Sequence, residues 1–214
     1  LAMWICADSD EDQIKREESA VDLGEGVKPP GYYVRRAGGL FPAALPPSSE
    51  DSKHAVEVFR MLGVFLAKVI QDGRLVDLPL ARPFLKLLVT TGVVDVAKED
   101  LRNILTLDDF EEVSPMNGRI LKELSALVNR KRAIESDQSV DPEVKRRRID
   151  NLTLNVNGTE CSVEDLSLSF VVNPPSSVFS YSEMELVEGG SNVDVTTENM
   201  DLYVEKCTDF YLNS

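Results

Sequence analysis

Residues 59–86 read FRMLGVFLAKVIQDGRLVDLPLARPFLK, and this stretch decides the fold class. Val56, Phe59, Leu62, Gly63, Leu66, Val69 and Ile70 recur at the spacing of one face of a helix. Ser52 is placed to cap that helix, because a serine oxygen can accept from a first-turn amide that has no intrahelical partner. After Phe59 the apolar stripe widens until only Arg60, Lys68 and Gln71 are strongly polar. So broad a stripe predicts a central helix, buried on most sides. Asp72-Gly73 ends it, since glycine tolerates the left-handed geometry that finishes a helix. A second apolar helix is expected over residues 80–91, ended by Gly92.

Toward the N-terminus, residues 8–18 are highly charged and lack an apolar period, which predicts a loop. Pro29-Pro30-Gly31 is a turn signal ahead of the run Tyr32-Tyr33-Val34. Gly38-Gly39-Leu40-Phe41 predicts a close backbone approach beside a buried Phe, and Pro46-Pro47-Ser48-Ser49 reads as a linker. Toward the C-terminus, Asp108 and Asp109 fit the start of a helix after Thr106, where carboxylates meet the positive end of the dipole. Ser114-Pro115 starts a further helix with the stripe Ile120, Leu121, Leu124, Leu127 and Val128. Asp141-Pro142 repeats the start signal for a basic helix, and the polar turn over 135–139 joins the two as a hairpin. Leu166, Leu168 and Phe170 alternate with serines, the period of a half-buried strand. Met184 and Leu186 alternate again, and Gly189-Gly190 turns the chain toward Val193 and Val195. Thr196 is expected to cap a last helix carrying Met200, Tyr203, Val204, Cys207 and Phe210 on one side. The fold class is α+β, mainly helical with a small strand-bearing portion.

The chain has 214 residues, 43% hydrophobic and 28% charged, enough for one substantial domain without disulfide staples. Cys6, Cys161 and Cys207 are widely spaced and odd in number, which fits reduced, intracellular thiols. The most apolar run, residues 61–70, is too short to span a bilayer, and no signal peptide is expected. The expected localisation is cytoplasmic, with nuclear entry left open by two basic clusters twelve residues apart, at 130–132 and 145–148. Such a spacing resembles a bipartite import signal, and exposed faces of a helical hairpin are the plainer alternative. Net charge is −14 and uneven: residues 149–214 hold twelve acidic side chains against Lys206, while 122–148 hold eight basic against five acidic. An acidic half repels nucleic-acid phosphates and favours basic protein partners.

Chemistry-bearing motifs are scarce. His54, the one histidine, lies on a first helical turn beside Lys53 and reads as solvated. One His and three scattered Cys do not make a zinc set, so no metal and no cofactor is expected. The sequence has no phosphate-binding glycine loop and no nucleophile elbow. None of the cysteines has the cationic setting that activates a thiol: Cys161 lies in an acidic segment and Cys207 among aromatics. From residues alone the chain reads as a non-catalytic unit.

Beside this physical reading stands a family resemblance. The stretch 59–86 resembles the signature of the N-terminal lobe of HECT-type ubiquitin ligases: a Leu-Gly, a Leu-Ala, an Arg-Leu, then Asp-Leu-Pro-Leu and Phe-x-Lys. In that placement the helix packs through Gly63 and Ala67, and Asp77 with Pro79 makes a capped lead into the next helix. VEDLSLSF at 163–170, LVEGGSNVDVT at 186–196 and NMDLYVEKCTDFYLNS at 199–214 match in the same order. KPPGYYV, RLVDLPL and the basic hairpin resemble the HECT-domain-containing branch in particular. The resemblance implies N-terminal loops over 1–52 and a helical body of the lobe over 53–112. Residues 113–214 would then be a small subdomain that docks the ubiquitin-conjugating enzyme, with the chain stopping before the rest of the lobe and before the C-terminal lobe. The cysteine that carries ubiquitin would lie in that missing lobe, so no catalytic residue is expected here and the fragment alone is expected to be inactive. Implied partners are a conjugating enzyme, ubiquitin through the missing lobe, and protein substrates through missing regions, with no nucleic acid and no membrane.

By resemblance the docking groove maps onto Leu121, Leu124, Glu164, Leu166, Tyr203 and Cys207. Apolar walls with an acidic edge suit an exposed aromatic and basic residues on a conjugating enzyme, and Tyr203 is the strongest contact candidate; the alternative is that all six residues belong to the core. Cys207 stands where some family members carry an aromatic, and Asn117 where some carry a leucine; both shrink the apolar contact. The alternative function, of a different class, is an acidic helical interaction module without ubiquitin chemistry.

Overall fold

The computed structural model describes residue 4 and residues 14–17, 21–22, 27–28, 31–34, 38–47, 49–76, 78–93, 104–156, 158–173 and 183–213. Six helices carry the architecture among these: α1 (Glu50–Gln71), α2 (Arg82–Val93), α3 (Leu107–Val113), α4 (Pro115–Ser136), α5 (Pro142–Asp150) and α6 (Met200–Asn213). Small antiparallel ribbons accompany them: β1 (Ile14–Glu17) pairs with β4 (Gly31–Val34), and β2 (Val21–Asp22) with β3 (Val27–Lys28). Further along, β5 (Leu154–Val156) pairs with β6 (Thr159–Cys161), and β7 (Val171–Val172) with β8 (Met184–Glu185). Mainly helical α+β is therefore the observed class. No described helix is long and apolar enough to cross a membrane.

One buried cluster runs from Phe41, Ala81 and Phe84 through Phe110 and Val113 to Leu124, Leu127, Leu154, Phe170, Met200 and Phe210. At its N-terminal end the glycine pair behaves as its sequence dictates. Gly39 has φ +73, and a Cβ there would collide with the backbone of Ala81. The close approach lets Leu40 N donate to Pro79 O at 2.6 Å and Ala81 N donate to Leu40 O at 2.9 Å. Phe41 is buried next to this junction. Trp4 meets Phe59 and Phe84 edge-on, with centroids 5.0 and 5.9 Å away.

The starts of α3 and α5 follow the sequence signals. Thr106 and Asp109 form a reciprocal capping box on α3, and Asp141 accepts from Glu143 N above Pro142 on α5. Lys122 joins α4 to α3 through Asp108 at 2.7 Å and Glu111 at 2.6 Å, and Lys86 joins α2 to Asp109 at 2.6 Å.

Several elements differ from expectation. Ser49, not Ser52, caps α1, and accepts from the amide of Ser52. More importantly, among the described residues α1 is peripheral: only Ala55 is buried on it, Phe65 is 51% exposed, Val64 is 68% exposed, and none of them packs on Gly63. The broad stripe is real, but the described residues cover only its edge, through Phe59 and the half-buried Leu62, Leu66 and Val69. α2 begins at Arg82 because Leu80 is held in a parallel bridge with Leu40. Asp77 lies outside the described residues. Within the stretch read as a loop, β1 forms by pairing with β4 over Gly31–Val34. The strand expected over 166–170 starts late: Leu166 ends a 3-10 turn, Glu164–Leu166, closed by Ser167 in the left-handed region at φ +49, and pairing begins only at Ser169, which bridges Asp194 just before β7. Asp165 causes this by accepting from Ser162 N at 2.9 Å and Ser162 Oγ at 2.8 Å, which curls the chain before it can extend. Finally α6 starts at Met200, with Asn199 Oδ1 accepting from Thr196 N at 2.8 Å; Thr196 contributes its carbonyl rather than a side-chain cap.

Candidate functional site

α4 and α6 pack face to face because each carries a buried stripe at helical spacing: Leu121, Leu124, Leu127 and Val128 on one, Met200, Tyr203, Cys207 and Phe210 on the other. Lys131 fixes their relative position. It is only 8% exposed, and its ammonium donates to Glu198 O at 3.0 Å and pairs with Asp201 at 3.1 Å. Arg132 takes the other oxygen of Asp201 at 3.3 Å. The Tyr203 ring meets Phe170 edge-on at 5.4 Å. Burial pushes the Cys207 thiol up to about 12. A thiol so placed stays protonated at neutral pH and is a poor nucleophile.

The turn Glu164–Leu166 lies along one edge of this packed pair. Glu164 reaches across to the segment leading into α6: one carboxylate oxygen accepts from Thr197 N at 2.9 Å and Thr197 Oγ1 at 3.0 Å. Burial works against its charge, but the hydrogen bonds from Thr197 and Ser162 outweigh burial and hold its pKa below the usual range. The neighbouring Asp165 carboxyl is lowered by the amide and hydroxyl of Ser162. Two exposed, ionised carboxylates therefore immediately precede the half-buried Leu166.

The six residues marked from sequence do converge, with Leu121, Leu124, Tyr203 and Cys207 in one cluster and Leu166 packed against it. What the structure corrects is their exposure. Leu124 is 0%, Cys207 3%, Leu121 4% and Tyr203 8% accessible, so these four are interior, not walls of an open groove. Apolar residues at helical spacing mark a covered face in either case, and direct packing of α4 on α6 closes this one. Glu164 and Leu166 alone of the six present surface to a partner. Asn117 is exposed and spends its amide on Ser114 Oγ at 3.2 Å. Cys161 is half-buried, its sulfur 3.9 Å from Leu154 O, and Cys6 lies outside the described residues.

Sequence reasoning missed Asp165, Thr197 and Lys131. The Ser162-x-x-Asp165 spacing is a legible capping signal for the first. Lys131 gave none, because a lysine inside a basic run looks like every other solvated lysine.

Comparison with known proteins decides the family. The profile of the HECT-domain (ubiquitin-transferase) family matches residues 35–214. The chain belongs to the HECT-domain family. The HECT chain is 61% identical to E3 ubiquitin-protein ligase hecd-1 of Caenorhabditis elegans over all of its own length and 8% of that protein. It is 37% identical to E3 ubiquitin-protein ligase Ufd4 of Drosophila melanogaster, over 99% of this chain and 9% of the relative. It is 30% identical to E3 ubiquitin-protein ligase TRIP12 of Danio rerio, over 92% and 9% respectively. It thus spans about a tenth of the length of these relatives.

Proposed function

We propose that this chain is the part of a HECT ubiquitin-protein ligase that docks the ubiquitin-conjugating enzyme, through the edge formed by Glu164, Asp165 and Leu166. The observation that carries this reading is a half-buried apolar side chain directly following two exposed carboxylates whose hydrogen bonds favour the ionised form. That edge is complementary to an apolar side chain flanked by basic residues on a partner. Leu121, Leu124, Tyr203 and Cys207 serve from beneath: their packing fixes the height and angle at which the turn is presented. Cys207 is unsuited to carrying a thioester, because it is buried and that burial pushes its thiol up.

Titration calorimetry of this chain against a panel of ubiquitin-conjugating enzymes tests the proposal. Leu166→Ala and Leu166→Lys are each expected to weaken binding about tenfold, the scale of a moderate interface contact, with the circular-dichroism spectrum unchanged. Unaltered affinity in both variants would remove this edge from the interface.

A further inference from the structure

Among the described residues Lys131 is the one charged side chain that is buried. Stability alone gives little reason for it. Taking an ammonium out of water is costly, and an apolar side chain of similar length would fill the space without that penalty. The place is also a poor one for a cation, because the ammonium sits at the N-terminal end of α6, where the helix dipole favours anions. Asp201 in the first turn of α6 offsets the charge at 3.1 Å, yet Arg132 brings a second cation to the same carboxylate at 3.3 Å.

What this ammonium does is span. It donates to Glu198 O at 3.0 Å and to Asp201 Oδ1 at 3.1 Å, so one group on α4 pins both the segment leading into α6 and the first turn of that helix. The residue before Glu198 is Thr197, whose amide and hydroxyl both donate to Glu164, at 2.9 and 3.0 Å. The hold of Lys131 and the hold on Glu164 are thus exerted at consecutive residues. The segment that carries them is itself stiff: Asn199 Oδ1 accepts from Thr196 N at 2.8 Å, and Asn199 Nδ2 donates to Asp194 O at 2.9 Å. The chain beyond the turn has its own tie, Val195 N donating to Leu168 O at 2.8 Å, while the turn reaches this segment through Glu164.

We infer that Lys131 is a positioning residue for the docking edge: from inside the molecule it sets the place of Thr197, and through Thr197 and Glu164 the height at which Leu166 is presented. The inference rests on the reading of that edge as the conjugating-enzyme contact. The apolar stripes of α4 and α6 bring the two helices together, but hydrophobic contact is non-directional and leaves their register open. A buried charge that must meet two fixed acceptors closes that freedom, which is the best-attested use of such groups.

Hydrogen-exchange mass spectrometry of the free chain, and titration calorimetry against a ubiquitin-conjugating enzyme that binds the wild type, test this with K131M, T197V and the double variant. K131M is expected to speed exchange about tenfold at 162–168 and 196–201, with 107–113 and 154–161 unchanged. It should also weaken binding about tenfold. T197V keeps the amide bond to Glu164 and should speed exchange at 162–168 alone, with a loss of affinity of about threefold. In the double variant the two losses should not multiply, because both act through one path. D201N leaves the ammonium an acceptor and should show the same localised exchange to a smaller extent; it carries the test if K131M does not fold. Faster exchange along the whole chain, multiplied losses in the double variant, or unchanged exchange at 162–168 in K131M and D201N would overturn the proposal, leaving Lys131 a role in stability only. Failure of the docking reading has a different outcome: unaltered affinity in both Leu166 variants, with the localised exchange of K131M retained.

Discussion

Leu124 has no exposed surface, and this changes what a substitution there reports. Leu124→Ala is expected to cost about 2–5 kcal/mol, as removal of a buried leucine leaves a cavity, and to appear as a lower urea midpoint. Tyr203→Ala follows the same rule at about 3–5 kcal/mol, because its ring is packed against Phe170. Lost partner binding in either variant would therefore report unfolding before contact, and Leu166 is the more informative position. Glu164 makes a pH prediction. Its folded pKa lies below the ordinary 4.5, so its contribution to stability is present above that value and fades as pH falls through the folded one. Thermal melts of wild type and Glu164→Gln should differ at pH 7 and converge in acid; a constant gap down to pH 2 would contradict the assigned bonds. At this scale the sequence made convergence legible and exposure illegible, for Leu121 and Leu124 have the spacing of a covered face whether a helix or a partner covers it.

Among the elements, the α3–α4 corner is the tightest. A Cβ on Gly118 would run into the backbone of Glu111, which no rotamer change relieves. Alanine normally gains about 1 kcal/mol over glycine inside a helix. Here overpacking of about 1–3 kcal/mol opposes that gain, so Gly118→Ala should lower the melting temperature. A raised melting temperature would show that the corner has room. Helix starts at Thr106 and Asp141 were readable because capping is local chemistry between residues two or three apart. The β5–β6 ribbon was also readable and was missed: Asn157-Gly158 between two short runs is a hairpin turn signal, and Gly158 has φ +87. The late start of the strand expected from residue 166 has the opposite lesson. Alternation there was outvoted by one aspartate capping a serine three residues back.

For the molecule as a whole, α1 shows where a single sequence stops informing. Its stripe correctly gave a helix with an extensive apolar face, but which polypeptide covers that face is a long-range matter that periodicity does not encode. Family membership was legible for the opposite reason: ordered short matches spread over the chain carry more information than any single element. The account also makes a chemical prediction at this scale. With Cys207 buried and held protonated, incubation with activating enzyme, conjugating enzyme and ubiquitin should give no reducible ubiquitin adduct on this chain in a non-reducing gel. An adduct lost in Cys161→Ser or Cys207→Ser would contradict it.

The central claim, that the turn at Glu164–Leu166 is the docking edge, is tested most directly by hydrogen-exchange mass spectrometry of the chain with and without a bound ubiquitin-conjugating enzyme. Slowed exchange confined to residues 162–168 and the adjoining 193–198 is the predicted result. Complex formation that leaves both segments unchanged, with protection elsewhere, would contradict it.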